Sequence, residues 1–588
     1  MSCFLKILPE GRVLKAGSGR FLSDVLEEAG IRLGLYCGRR GLCGKCFVEI
    51  VRGPLPSPND EERSLLARRR VPKNFRLACR YRIEGDISLR IPAESLLPQM
   101  PVLSRGVRRS LSLDPAIKKI SLSLVKPDLA SPEALLDSIW GRFSKATLHI
   151  SMESLRRLAR LYKRESPDTV LTAVIHADRE LIDFEPGDTT GRNYGIAVDL
   201  GTTTIVVELI DLNTGKTVDT AAGLNGQAKY GADVVSRITA AYTDPQKLKD
   251  LRTAVVDGLN EMIGSLVRKN HIPSSAVYEA VVAGNAAMNH LFLGISIATL
   301  AVSPYHAVFS VIPAMPAAES GLAINPLGRA YIAPNIKSFV GGDIAAGLTA
   351  IDLEHRTGNF LFIDLGTNGE IVLKKGARFT TTSTAAGPAF EGMTTSCGML
   401  ALPGAIFKAE YKDRLTVETI AGQPARGVCG TGLIDLIAVS LDKGKLSSKG
   451  HILVSSKRIA VTKNLSLSQK DIREVQLAAA AVKTGIRMLL AANKMAVNDL
   501  DGIYVAGAFG NYLNIPNSVK LGLLPRFDRQ KIFFVGNSSL AGAKALLLSR
   551  TERARCEKIA KKIRHLSLAK DVEFQKMFVE ALEFKPWN

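Results

Sequence analysis

The sequence predicts a multidomain chain of α+β and α/β units: a small α+β unit at residues 1–93, a linker at 94–125, a small α/β middle unit at 126–190 and a two-lobed α/β unit at 191–588. Three observations predict it. Four of the eight cysteines cluster within the first 80 residues, apart from Cys3, as Cys37-x5-Cys43-x2-Cys46 followed after 32 residues by Cys79. A strand-turn-strand segment occurs twice, as YGIAVDLGTTTIVVELID at 194–211 and FLFIDLGTNGEIVLKKG at 360–376. Around these copies, helical stripes alternate with short apolar runs, the pattern of sheets flanked by helices.

A chain of 588 residues should hold several domains with ample cores. Its 46% hydrophobic content is ordinary for a globular protein. The sequence shows no apolar run long enough to span a bilayer, and the start MSCFLKILPEGR lacks a signal-peptide layout, so a cytoplasmic protein with no membrane association is expected. The formal charge of +21 raises nucleic acid as a partner. The basic residues are dispersed, however, and form no recognisable binding module with aromatics. No nucleic acid is therefore expected; an acidic protein partner fits the excess charge better.

In a cytosolic protein, clustered cysteines favour metal over disulfides. Zinc prefers paired Cys-x2-Cys knuckles, whereas three thiolates on one loop plus a distant fourth match a ferredoxin-type [2Fe–2S] centre. Cys37, Cys43, Cys46 and Cys79 are the candidate ligands, with zinc the alternative occupant. Gly38, Gly41 and Gly44 let the loop wrap a cluster and aim backbone N–H groups at its sulfurs. Arg39 and Arg40 add positive charge that would raise its potential slightly. Strand-like runs at 3–7, 47–51 and 87–91 around a helical stretch at 21–29 suggest a β-grasp ferredoxin. The x5 spacing resembles the adrenodoxin variant more than the plant one. Cys3, Cys397, Cys429 and Cys556 lack partners nearby in sequence and read as small packing residues.

Residues 94–125 contain Pro98, Pro101 and Pro115 and a basic stretch without sustained periodicity, which reads as a tether allowing a small redox domain to move. In the middle unit, strands are expected at 146–150 and 170–175, with Ser151 capping a helix that carries Leu155, Leu158 and Leu161. His149 and His176 read as ordinary strand residues.

Each copy of the repeat reads as a hairpin gripping an anion. Gly201 or Gly366 permits a tight turn whose backbone N–H groups converge on a phosphate. Thr202, Thr203, Thr204, Thr367 and Asn368 add side-chain donors. Asp199 and Asp364, at the strand ends, suit a hydrated Mg²⁺, which takes few carboxylates. A single such hairpin is usually structural, but two copies a domain apart are not easily explained that way. The pair resembles the phosphate loops of the acetate kinase, sugar kinase, Hsp70 and actin superfamily of ATPases. The third element that this resemblance implies, a strand and Gly-rich turn packing adenosine, matches IYVAGAFG at 503–510, with Gly507 and Gly510 allowing close approach. Gly341-Gly342-Asp343 closes the first lobe before a helix, placing Gly342 and Asp343 among the candidate nucleotide-binding residues. Further helices are expected at 247–266 and from Ser468, where Ser-x-x-Asp resembles a capping box and Ile472, Val475, Ala479, Val482, Ile486 and Leu489 form a buried stripe.

Taken in order, the cysteine loop, DLGTTT, NGQAKYGADV, VVAGNAAMNHLFLG, GGDIAAG, FIDLGTNGEI, GPAFEG, GVCGTGLIDL, DIREVQLAAAA and VAGAFGNYL resemble the ATP-dependent reductive activators of corrinoid proteins over almost the whole chain. The resemblance implies an actin/Hsp70-like ATPase fused to a ferredoxin. It implies an ATP-hydrolysing iron–sulfur reductase that returns inactive Co(II) corrinoid methyl carriers of anaerobic one-carbon metabolism to Co(I). The expected cofactors are a [2Fe–2S] cluster, ATP and Mg²⁺. The expected partners are a corrinoid protein, a low-potential electron donor and a second copy of the chain. One branch of the family carries extra iron–sulfur clusters at its C-terminus, and no cysteine cluster follows Cys556 here. A metabolite kinase with a regulatory cluster and a non-catalytic electron carrier or scaffold are the competing classes.

Overall fold

Along Ser2–Leu8 buried and exposed residues alternate strictly, with Cys3, Leu5 and Ile7 facing inward, as a strand with one solvated face requires. It is the second strand of a five-stranded sheet ordered Arg12–Gly17, Ser2–Leu8, Ile87–Arg90, Phe47–Arg52, Phe75–Leu77. The Ser2–Leu8 and Ile87–Arg90 pair is parallel and the other neighbours are antiparallel. Helix Leu22–Glu28 buries Leu22, Val25 and Leu26, spaced i, i+3 and i+4, against the sheet. The structure is a computed structural model that describes residues 2–31, 33, 41, 44–68, 71–92, 95–96, 111–123, 134–140, 149–164, 170–392, 394–507, 513–568 and 572–588.

The second half of the expected tether is not a tether. Ile117–Ser123 is a strand that pairs antiparallel with Val170–His176 in a four-stranded sheet completed by Glu180–Pro186 and His149–Ile150. Its Ile117 and Leu122 are buried. Asp114, just before it, accepts two hydrogen bonds from the Arg550 guanidinium at 2.8 and 2.9 Å. Basic composition concealed a strand whose inward residues are few. Ser151 caps helix Met152–Arg164 as expected, its hydroxyl accepting from Ser154 N at 3.1 Å. The sheet packs on the next unit through Asp183, which accepts a 2.6 Å bond from the Tyr278 hydroxyl.

Two six-stranded sheets follow, and they are built alike. In the first, Tyr194–Leu200 pairs antiparallel with Thr204–Asp211, which pairs antiparallel with Thr217–Leu224. On its other side run the parallel strands Val277–Gly284 and Arg329–Ile332. In the second, Phe360–Leu365, Gly369–Lys375 and Arg378–Thr384 form the same meander, with parallel Gly502–Ala506 and Ile532–Gly536 on the other side. The duplicated sequence is thus the first hairpin of a duplicated sheet. Val277–Gly284 and Gly502–Ala506 are buried along their whole length, which explains why they read as unbroken apolar runs.

Helices Gly342–Ala350 and Ser538–Leu548 cross between the lobes, within an apolar cluster that includes Ala346, Phe362 and Leu546. Small residues let the backbones approach: a Cβ at Gly542 would lie 2.2 Å from the Ala346 carbonyl, and one at Gly347 would lie 2.8 Å from Ser538 Oγ. The Ser468 capping box is present, with Ser468 N donating to Asp471 Oδ2 at 2.8 Å, and it starts helix Gln469–Ala492. That helix is the one among the described residues long and apolar enough to cross a membrane, contrary to the sequence expectation that no run reaches that length. Its most apolar window is 78% buried, packed in the second lobe's core.

Because the helix crossing has no room for a methyl group, Gly542→Ala should destabilise the two-lobed unit by about 1–3 kcal/mol. Circular dichroism would show a lower unfolding midpoint, while the visible absorption of the cysteine-ligated centre should melt as in the wild type.

Candidate active site

The two hairpins face each other across a cavity of about 200 Å³. Asp199, Gly201, Thr202, Thr203 and Thr204 line it from the first hairpin; Asp364, Gly366, Thr367 and Asn368 line it from the second. Asp199 and Asp364 hold equivalent places, each one residue before the end of its strand. At Gly201 a Cβ would lie 2.5 Å from the Thr204 carbonyl, so the turn demands glycine. The turns touch directly: Thr203 Oγ1 and Thr367 Oγ1 are 2.9 Å apart.

Asp343, second residue of helix Gly342–Ala350, also lines the cavity, whereas Gly342 does not. A Cβ on Gly342 would lie 2.5 Å from the Ala333 carbonyl, so glycine there serves packing. Gly507, with φ of 105°, lines the cavity, and a Cβ on it would lie 2.4 Å from the Leu365 carbonyl. Its glycine lets this turn abut the second hairpin. Gly510 lies outside the described residues.

Sequence reasoning missed several lining groups. Glu370 stands directly opposite Asp364 in the hairpin register. Asn537 and Ser539 start helix Ser538–Leu548 and hold both oxygens of Asp199, each at 2.8 Å. Glu391, within the GPAFEG turn, accepts from Thr203 at 2.8 Å and from Thr367 at 2.9 and 3.1 Å. The register would have found Glu370, and the GNSS run after a strand resembles the other strand-to-helix turns. Nothing in the sequence pairs Glu391 with Thr203, 188 residues away, or with Thr367, 24 residues away.

The electrostatics are one-sided. Burial raises the carboxyls of Asp199, Asp343, Asp364, Glu370 and Glu391. Asp343 is pushed up to about 7, with the Asp199 charge adding to burial. Asp364 is pushed up to about 8, with Asp343 and Asp199 adding to burial. No lysine or arginine is among the described residues that line the cavity. Such a donor set, carboxylates on separate elements beside hydroxyls and backbone N–H groups, fits a hydrated divalent cation with phosphate.

In the N-terminal unit, Cys46 and Cys79 are buried with their sulfurs 3.3 Å apart and not bonded to each other. Gly41 and Gly44, with φ of 70° and 63°, precede strand Phe47–Arg52. Paired buried thiols beside a loop of left-handed glycines fit an iron–sulfur cluster, and Cys46 and Cys79 would hold it. Cys37 and Cys43 lie outside the described residues. Cys3, Cys397, Cys429 and Cys556 are buried singly, and burial pushes the Cys397 and Cys556 thiols up to about 12, as inert packing residues require.

Comparison with known proteins gives four consecutive family matches: the 2Fe-2S iron-sulfur cluster binding domain over 5–84, the RACo linker region over 106–191, the RACo middle region over 194–356 and the C-terminal domain of RACo, the ASKHA domain, over 358–587. The corrinoid activation enzyme RamQ of Eubacterium limosum is 30% identical, with 95% of each chain covered. The [Co(II) methylated amine-specific corrinoid protein] reductase of Methanosarcina barkeri is 30% identical over 66% of this chain and 77% of its own. A solved structure titled reductive activator for corrinoid, iron-sulfur protein is 32% identical, with a TM-score of 0.75, covering 99% of this chain and 98% of that one.

The raised carboxyls predict a pH dependence of stability. Native Asp343 and Asp364 keep protons that the unfolded chain, with carboxyls near about 4, has already released. Their contribution is complete below about pH 4 and is lost as pH rises through about 7 for Asp343 and about 8 for Asp364. Metal-free, nucleotide-free protein should therefore melt at a lower temperature at pH 8.5 than at pH 6. Asp364→Asn should flatten that dependence in scanning fluorimetry.

Proposed function

We propose a function from one premise: this chain belongs to the family of reductive activators of corrinoid proteins. It reduces the inactive Co(II) form of a corrinoid protein to Co(I) by one electron, at the expense of ATP hydrolysis, and so returns a corrinoid methyl carrier to its cycle. The observation that carries this reading is the presence, on one chain, of a buried cysteine pair fitted to an iron–sulfur cluster and an acid-lined cavity between two phosphate-type hairpins.

The bound cluster supplies a one-electron donor, near roughly −400 mV if it behaves as plant-type centres do. The protein's own groups do the rest. Gly201 to Thr204 and Gly366 to Asn368 present N–H and O–H donors to the phosphates. Asp199, which accepts from Asn537 and Ser539, and Asp343 and Asp364 would orient water around Mg²⁺, whose charge relieves their repulsion. Gly507 and Gly510 admit the nucleoside.

Each tenfold of equilibrium corresponds to about 59 mV for one electron, so an acceptor more negative than the cluster is reduced only rarely without help. ATP gives that help by favouring a protein conformation whose complex with the corrinoid protein disfavours Co(II). A low-potential donor re-reduces the cluster after each turnover. The protein acts in the cytoplasm as a homodimer, without nucleic acid or membrane. Residues 1–93 form the redox domain, 94–125 join it to the middle domain at 126–190, and 191–588 form the ATPase.

Dithionite-reduced protein with Mg·ATP should convert a Co(II) corrinoid protein to Co(I), seen in its absorption spectrum, and should do so only slightly without ATP. Asp199→Asn and Asp364→Asn should each keep the brown cluster and lose ATP turnover by at least about 10²-fold, the scale for removing one electrostatic group from a catalytic site. Equal reduction with and without ATP would overturn the reading, and phosphate transfer to a small molecule would replace it with a metabolite kinase.

A further inference from the structure

Among the described residues, Lys45 bridges the cysteine unit and the ATPase. Lys45 immediately precedes the cluster ligand Cys46, and it is only 7% exposed. Its ammonium donates to the Gly392 carbonyl at 3.0 Å and to the Gly398 carbonyl, both in the second lobe. The loop carrying these carbonyls is tightly determined. Gly392 has φ of 70°, and a Cβ on it would lie 2.4 Å from the Met399 carbonyl, so the two ends of the loop touch beside Lys45. Ser396 in the same loop donates through N and Oγ to Asp471 at 2.6 and 2.7 Å, which anchors it to the start of helix Gln469–Ala492.

The residue before Gly392 is Glu391, whose carboxylate bridges Thr203 and Thr367 across the cavity. At about 200 Å³ the cavity is smaller than the roughly 300–1,000 Å³ of small-molecule sites. A nucleoside triphosphate can enter only if the hairpins part, and its phosphates need the same threonine hydroxyls that Glu391 now occupies. A phosphate and a carboxylate also repel each other.

We propose that Lys45 clasps the ferredoxin unit to the ATPase in the nucleotide-free state, and that Glu391 is the trigger which opens the clasp when nucleotide binds. This rests on the ATP reading above. Displacing the Glu391 side chain shifts the adjoining Gly392 peptide, one of the two acceptors of Lys45, and the loop can no longer close on the ammonium. Beside Lys45, between Phe47 and Phe75 on one side and Arg426, Arg458 and Leu465 on the other, lies a cleft of about 820 Å³, so the seam is incompletely filled there. Release carries the cluster away from the ATPase surface and towards the corrinoid protein. By reciprocity, the closed clasp weakens nucleotide binding by the same factor that nucleotide weakens the clasp.

Hydrogen exchange of the full-length, cluster-loaded protein tests this, with Mg²⁺ and a non-hydrolysable ATP analogue as the probe and calorimetry reporting its binding. Binding with faster exchange in residues 44–50 and 394–399 is expected. Binding with unchanged exchange there would overturn the clasp alone; no binding heat would instead sink the ATP reading. Lys45→Met should show the fast exchange without nucleotide, keep its visible spectrum, and bind the analogue about 5- to 150-fold more tightly, the usual range of coupling between sites. Lys45→Arg should restore slow exchange and wild-type affinity. An unchanged affinity in Lys45→Met would overturn the proposal. Should Lys45→Met lose its cluster, Gly392→Ala releases the clasp from the ATPase side, and slow exchange in 44–50 in that variant would equally overturn it.

Discussion

The structure depends on a repulsion that the protein alone does not relieve. Asp199, Asp343, Asp364 and Glu370 converge on one cavity from the two hairpins and a helix start, with no lining cation among the described residues. A buried carboxylate is costly unless it is paired or protonated. The three aspartates are not equivalent. Asp199 receives two side-chain hydrogen bonds, Asp343 receives backbone ones, and no described residue donates to Asp364. Burial raises all three, and the hydrogen bonds oppose it at Asp199 and Asp343, whereas the neighbouring Asp343 and Asp199 charges add to it at Asp364. Binding a metal with its nucleotide therefore changes the charge state of the cleft as well as filling it.

These groups sit on two sheets built alike. The equivalent sheets present equivalent hairpins, so the cleft is lined by the same chemistry twice, and helices Gly342–Ala350 and Ser538–Leu548 pack against each other beside it. Helix Ser538–Leu548 follows strand Ile532–Gly536 of the second sheet, yet it packs on Tyr194–Leu200 and Val277–Gly284 of the first, where its first residues hold Asp199. The crossing is close, with no room for a side chain at Gly542 or Gly347, so a shift of one helix disturbs the other. The packing of the two helices and the environment of Asp199 are consequently linked.

Much of this was legible in the sequence, for reasons that differ by element. The duplicated hairpins were readable because the Asp-Leu-Gly-Thr turn recurs, although only Gly201 is required by space; a Cβ at Gly366 would meet the Asn368 carbonyl no closer than 3.7 Å. Helix Gln469–Ala492 was readable because its cap and its apolar stripe agree. Ile117–Ser123 was not, because an edge strand with two buried residues and four lysines and serines carries no clear period. Strand Arg12–Gly17 and helix Asp60–Arg68 failed for the same reason, being mostly exposed. Asn537, Ser539 and Lys45 acquire their meaning from partners more than 300 residues away, and Glu391 from Thr203 as well as from the nearer Thr367. Pattern within a window cannot show such pairing.

The weakness of the seam between the cysteine unit and the ATPase is what makes one chain suitable for coupling them. Shifting a two-state equilibrium from 1:99 to 99:1 needs a differential affinity of about 10⁴, more than a nucleotide usually supplies by itself. A large apolar interface would put release out of reach. A single desolvated ammonium held by two carbonyls beside an incompletely filled cleft gives a docked state of marginal stability, whose balance a coupling of one or two powers of ten can reverse. The ferredoxin then spends its time docked when no nucleotide is present, with its electron kept from adventitious acceptors, and undocked when ATP is in place. The direction of electron flow is set by which acceptor the cluster can reach in each state, so the nucleotide governs the transfer without touching the electron.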